Sequence, residues 1–184
     1  NFDPAFYVTA VGDLVFFGSS VDNAAHALEA TTGVERWVHF TDSAVRLPPT
    51  VADDKAWFGS DDGHAYCVDA GTGELIWKRK PSVDPRPIPN NGKLISLWPI
   101  RSGVLLHEGL AFFSGSLLPW ETTYLCAVEA ATGEPRYVRE ETGVTLQGAL
   151  LASRESLYAP QGRSVPLVFQ LVDGAPLGGI AGSG

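Results

Sequence analysis

The residues able to do chemistry in this chain are few and dispersed. Its four histidines, His26, His39, His64 and His107, stand far apart, at no spacing that would bring a pair of imidazoles onto one metal ion. Asp61-Asp62-Gly63, just ahead of His64, reads as a polar turn. A calcium loop of the EF-hand type needs a full run of oxygen ligands and a distal Glu, and none follows. Gly18-Ser19-Ser20 and Gly115-Ser116 lack the Gly-x-Ser-x-Gly elbow that presents a nucleophile, and no phosphate-cradling Gly-rich loop is present. Two cysteines, Cys67 and Cys126, make neither a disulfide framework nor a four-ligand zinc site. No catalytic residue, cofactor site or metal site is assigned.

Ligand recognition has better candidates, all in irregular segments. Residues 80–99 read as an inserted loop, with four prolines between Pro81 and Pro89 that stiffen it and bar helix. Long inserted loops on a rigid scaffold often carry binding. Arg86, Asn91, Trp98 and the following Arg101 offer hydrogen-bond donors and a stacking face. Trp120 lies in a second irregular stretch, Leu117 to Glu121, and Arg163 follows Gly162 in what reads as a tight hairpin. The plain alternative is that the inserted loop only caps one face of the fold.

The elements that position these residues are strands. Gly and Pro number 20 and 13, helix-period stretches are scarce, and short aromatic or β-branched runs such as Leu14-Val15-Phe16-Phe17 and Leu110-Ala111-Phe112-Phe113 are bounded by turn residues. With 45% hydrophobic residues the 184-residue chain can build a core, and no apolar run is long enough for a transmembrane helix. Lys and Arg total 13 against 21 Asp and Glu, a net charge of −8, which disfavours phosphate-driven binding of nucleic acid. The chain opens on Asn1 without a leader, so it reads as a processed chain or a fragment.

The chain also aligns with itself. Ala27 to Trp37 (ALEATTGVERW), Cys67 to Trp77 (CVDAGTGELIW) and Ala127 to Tyr137 (AVEAATGEPRY) are three copies of one motif, and Phe169 to Leu177 is a degraded fourth. The turn glycines Gly33, Gly73, Gly133 and Gly174 are separated by 40, 60 and 41 residues, a period of 40 with one insertion. That period, with four short strands per unit, is the signature of a propeller blade. The Gly supplies a positive φ at the turn between third and fourth strands. The aromatic four residues on, Trp37, Trp77 or Tyr137, is placed to cover the joint between blades.

The pattern Ala-x-Asp/Glu-x-x-Thr-Gly-x-x-x-Trp resembles the PQQ-like, or quinoprotein-type, β-propeller repeat, whose Trp docks on the turn of the adjacent blade. The wider family includes PQQ-dependent alcohol dehydrogenases, the lipoprotein subunit of the outer-membrane assembly machine, and uncharacterised bacterial propellers, which this chain resembles most. The resemblance implies a bacterial, exported or periplasmic setting. Quinone-binding members hold PQQ between a Trp and a disulfide of neighbouring cysteines, beside calcium and an Asp. Cys67 and Cys126 are not neighbours and are expected on opposite strand faces, so no cofactor is expected here.

The reading is therefore an all-β propeller of four-stranded antiparallel blades, four in this chain, at about 5–44, 45–80, 100–142 and 145–180, with the inserted loop at 81–99. Family members usually close with seven or eight blades. The four are then part of a longer ring, half of an eight-bladed ring shared by two copies, or a small ring of their own, with the first two preferred. The expected function is a non-catalytic binding or scaffold module for a protein or glycan ligand. The alternatives are a propeller hydrolase, lyase or oxidoreductase, or structural blades of a larger enzyme whose site lies elsewhere.

Overall fold

The computed structural model describes residues 7–84, 86–162 and 164–180. Among them there is no helix, and eighteen strands form four four-stranded sheets and one hairpin. The first sheet is β1 (Thr9–Val11), β2 (Leu14–Ser19), β3 (Ala24–Glu29) and β4 (Glu35–Phe40). The second is β5 (Thr50–Ala52), β6 (Lys55–Gly59), β7 (Ala65–Asp69) and β8 (Leu75–Arg79). A hairpin of β9 (Pro87–Asn90) and β10 (Lys93–Ser96) follows. The third sheet is β11 (Leu105–His107), β12 (Leu110–Gly115), β13 (Thr123–Glu129) and β14 (Pro135–Glu141). The fourth is β15 (Leu151–Ala152), β16 (Ser156–Gln161), β17 (Ser164–Gln170) and β18 (Pro176–Gly179). Each four-stranded sheet is an antiparallel meander in sequence order, the build of a propeller blade.

The repeat motif sets the same local structure four times. The pairing of third and fourth strands slips by a bulge at Ala27/Leu28, Cys67/Val68, Ala127/Val128 and Val168/Phe169. The turn then closes on itself: Gly33, Gly73, Gly133 and Gly174 each donate their N–H to the carbonyl four residues back, at 2.8 to 2.9 Å. Their φ values lie between +70° and +75°, where any Cβ is strained.

Alternation along the strands then builds the core between blades. Because successive side chains point to opposite faces, Phe16 of β2 packs in one cluster with Phe58 of β6. Trp57 of β6 packs in the next with Phe113 of β12, and Phe112 of β12 in a third with Leu157 of β16. Each joint is an apolar layer shared by consecutive sheets. Cys67 and Cys126 lie on opposite faces of their own sheets, which brings both into the second of these layers as free thiols.

A meander places its connections on two rims. The turns between first and second and between third and fourth strands fall on one, the turn face. The β2–β3, β6–β7, β12–β13 and β16–β17 connections and all inter-blade linkers fall on the other, the loop face. The inserted segment belongs to the loop face. It is a hairpin despite its prolines, because Pro87 and Pro89 sit in a two-stranded ladder with an edge that needs no donor from them.

Candidate functional site

Arg46 and Arg101 stand at the same point of the repeat. Each follows a buried apolar residue, Val45 or Ile100, and precedes by four residues the inner strand of the next blade. The third equivalent pair is Leu146 and Gln147. These positions bring both guanidinium groups to one carboxylate. Asp61, in the β6–β7 loop, is 1% exposed and held by its backbone, its N–H donating to Ala44 O at 2.8 Å and its carbonyl accepting from Ser96 N at 2.7 Å. Arg101 clamps it through Nε to Oδ1 at 2.7 Å and Nη2 to Oδ2 at 2.8 Å. Arg46 donates from Nε and Nη2 to Oδ2 at 2.8 and 2.7 Å.

Two cations on one anion leave a positive charge in excess. Arg46 is 40% exposed at its side chain and lines a cleft of about 260 Å³ together with Asp61, Asn90, Asn91 and Lys93. The hairpin forms the roof of this cleft. Lys93 Nζ anchors it to the first blade through Ser20 O at 2.7 Å, Val21 O at 3.3 Å and Asn23 Oδ1 at 2.8 Å. Asn91, with φ +49°, forms the hairpin tip beside Gly92. Within a chain of net charge −8 this is a positive concavity.

A second cleft of about 290 Å³ is lined by Asp42, Asp62, Lys80, Asp84 and Trp98. Asp62 accepts from Tyr66 OH at 2.6 Å, His64 N at 2.8 Å and His64 Nδ1 at 3.2 Å. Burial pushes its pKa up, but the hydrogen bonds from His64 and Tyr66 outweigh it and hold the carboxyl below its ordinary value. Burial, together with the Asp62 charge, raises the Tyr66 phenol in turn.

The sequence candidates divide between these regions. Arg101 is committed to Asp61, and Asn91 lines the positive cleft. Arg86 is exposed, donates from Nε to Asp84 Oδ2 at 2.6 Å and from Nη2 to Glu121 Oε2 at 3.4 Å, and covers the Trp98 ring at 4.9 Å. Trp98 is buried, with Nε1 donating to Thr122 O at 2.7 Å and its ring edge-on to Tyr124. It is part of the packing, with no free stacking face. Trp120 is 76% exposed on the β12–β13 connection. Arg163 lies outside the described residues. Arg46, Asp61 and Lys93 were not among the sequence candidates, although aligning the linkers as well as the turns places Arg46 level with Arg101.

The donor set can be compared with quinone chemistry. Burial pushes the Cys67 thiol up to about 12 and raises Cys126 as well. Neither forms a disulfide, and among the described residues no three His, Cys, Asp or Glu side chains gather for a metal ion. These blades do not by themselves form the cysteine-backed cradle that PQQ holders use.

The family model described as outer membrane protein assembly factor BamB, a PQQ-like repeat model, matches residues 5–136. The chain belongs to this PQQ-like propeller family. It is 32% identical over 148 residues to polyvinylalcohol dehydrogenase of Sphingopyxis sp. (strain 113P3), a match covering 72% of this chain and 22% of that protein. Its fold superposes on quinohemoprotein alcohol dehydrogenase ADHIIG of Pseudomonas putida HK5 with a TM-score of 0.75 at 14% identity, over 92% of this chain and 33% of that one. The quinohemoprotein alcohol dehydrogenase of Comamonas testosteroni gives 0.74 at 12%, over 92% and 33%. The PQQ-like chain thus spans about a fifth of the curated relative and a third of each structural one. Its β-propeller fold is that of an arc of a larger ring.

Proposed function

We propose that these PQQ-like blades act as a non-catalytic binding or scaffold module, and that the loop face receives an acidic group of a protein or glycan ligand in the Arg46-lined cleft. The observation that carries this is the pairing of two arginines with one buried Asp61, which leaves the cleft positive. The Arg46 side chain remains 40% exposed, and guanidinium donors suit carboxylate oxygens. Asp62, the nearby carboxyl with a displaced pKa, is held low, the reverse of what a general acid at neutral pH requires. Arg86 and Trp98 engage Asp84, Glu121 and the packing on the other side of the hairpin, so the candidate groups do not converge on one reacting centre. Resemblance to exported relatives supports an exported setting.

The test is calorimetric titration with citrate as a carboxylate probe, then with oligogalacturonate and an acidic peptide. Wild-type binding that weakens at least tenfold in Arg46→Ala is the expected result. No carboxylate binding at millimolar concentrations refutes the cleft. A second reading, structural blades of an oxidoreductase whose site lies elsewhere, is favoured by the 32% identity to polyvinylalcohol dehydrogenase. Alcohol-dependent dye reduction by a polypeptide containing these blades, insensitive to loop-face substitutions, would carry it.

A further inference from the structure

On the turn face, the cleft between the third and fourth blades differs from the one before it. Between the second and third blades, Trp57 and Trp77 both donate from Nε1 to Ala130 O, at 3.0 and 2.9 Å. One blade on, the strand register puts Phe112 in the place of Trp57, and the repeat puts Tyr137 in the place of Trp77 and Leu171 in the place of Ala130. Neither ring donates to Leu171 O, because Phe112 has no donor and the buried Tyr137 hydroxyl has no partner. The cleft beside Phe112 has a volume of about 550 Å³, against about 280 Å³ beside Trp57.

The polar groups around the larger cleft are loosely held. In the first two copies of the motif the turn acid is bonded by its own Thr, Thr32 Oγ1 to Glu29 Oε2 at 2.9 Å and Thr72 Oγ1 to Asp69 Oδ1 at 3.1 Å. Glu129 in the third copy has no such bond, and its Oε1 stands 4.0 Å from Arg136 Nη1. His107 Nε2 is buried without a hydrogen-bond partner, and Glu108 Oε1 is 4.0 Å from it. Arg154, from the β15–β16 turn, is exposed and makes no ion pair or hydrogen bond among the described residues. Leu110, Leu171 and exposed Val172 supply the apolar part of the lining.

We infer that this turn-face cleft binds a neutral saccharide. Glu129 with Arg136, and Glu108 with His107, are pairs of opposite hydrogen-bonding character held just too far apart to bond directly. A hydroxyl is both donor and acceptor, so one placed in each gap accepts from Arg136 or His107 and donates to the facing carboxylate. A carboxylate ligand cannot donate and an ammonium cannot accept, so neither bridges such a pair. Three carboxylates, with Glu155 the third, against two guanidinium groups also favour no net anion. Leu171 and Val172 suit the C–H face of a pyranose ring. The site lies on the opposite rim from the Arg46-lined cleft, and neither reading depends on the other.

Amide NMR of the whole chain reads this site directly, with glucose, galactose, maltose and cellobiose as probes. At least one of the four should move the amides of Glu108, Glu155, Leu171 and Val172 together and saturably, at millimolar concentrations. Leucine and acetate, as zwitterion and anion controls, should not. Arg154→Ala removes an exposed, unpaired side chain and should leave the fold unchanged. It should weaken the saccharide about tenfold, as the loss of one charge-assisted hydrogen bond implies. Phe112→Trp, which restores the ring present at Trp57, should fill the cleft and abolish binding. No saturable movement with any of the four sugars overturns the inference, as does tighter binding of leucine or acetate. Undiminished affinity in Arg154→Ala, or in a folded Phe112→Trp, overturns it equally. If Phe112→Trp does not fold, Arg154→Ala decides.

Discussion

Trp37 and Gly73 form the joint between the first two blades. The indole lies over the glycine, its Nε1–H donates to Ala70 O at 2.8 Å, and a Cβ on Gly73 would come within 2.8 Å of the ring. The glycine is therefore needed twice, for its φ of +75° and for the space the ring fills. The same arrangement recurs between Trp77 and Gly133, with Nε1 donating to Ala130 O at 2.9 Å.

The two demands on the glycine can be separated. Gly73→Ala meets both strain and clash, and should cost about 2–4 kcal/mol. Gly33→Ala has the same backbone strain at φ +71° but no ring above it, and should cost only about 1–2 kcal/mol. Midpoints of urea unfolding for the two variants give the difference directly. Equal losses would mean that the ring yields to the methyl group.

The third joint is less well satisfied than the first two. Tyr137 takes the place of the Trp, and its buried hydroxyl has no hydrogen-bond partner. Burial, with the charge of Asp173 adding, pushes its phenol pKa up to about 12. Tyr137→Phe removes the unsatisfied hydroxyl and should be neutral or stabilising by about 1 kcal/mol. Trp77→Phe loses a bond to Ala130 O as well as packing, and should cost about 2–3 kcal/mol. In thermal melts the midpoint of Trp77→Phe should fall, while that of Tyr137→Phe should hold or rise.

Turn chemistry made the blades legible: a Thr-Gly turn, an acid four residues before it and an aromatic four residues after it fix a hairpin, a bulge and an inter-blade contact by local rules. The inserted hairpin was less legible. Its four prolines argue for a loop, but ladder pairing of Lys93 to Ser96 with Asn90 to Pro87 tolerates proline at an edge. The positive cleft was least legible. Arg46 and Asp61 are apart in sequence and meet only because successive linkers converge on the loop face. Trp98 misled for the same reason: an aromatic in a polar insertion looks like a stacking platform, but Thr122 O and Tyr124 from the third blade draw it into the packing.

Acid should reveal the Asp62 network. Its folded pKa lies below the ordinary 3.8, so its charge contributes stability that is complete above that value and is lost as pH falls through the folded pKa. Tyr66→Phe deletes the 2.6 Å donor while keeping the ring stacked on Phe58. At neutral pH it should cost about 1.5–3 kcal/mol. The gap between variant and wild type should narrow once the pH drops below about 4. A gap that is constant from pH 7 to pH 3 would show that the hydroxyl serves packing and not the carboxylate.

The Asp61 cluster is expected to respond unequally to removal of its members. Asp61→Asn leaves the forks of Arg46 and Arg101 facing each other with no anion between them. With Arg101 only 18% exposed at its side chain, this should cost about 3 kcal/mol. Arg46→Ala leaves the bidentate Arg101 clamp intact and removes a side chain that is 40% exposed, so the loss should be about 1 kcal/mol or less. The same substitution removes the guanidinium on which the proposed carboxylate site rests. A variant that is nearly as stable as wild type but no longer binds citrate assigns Arg46 to recognition. A loss as large as that of Asp61→Asn would instead make both arginines part of the structural clamp.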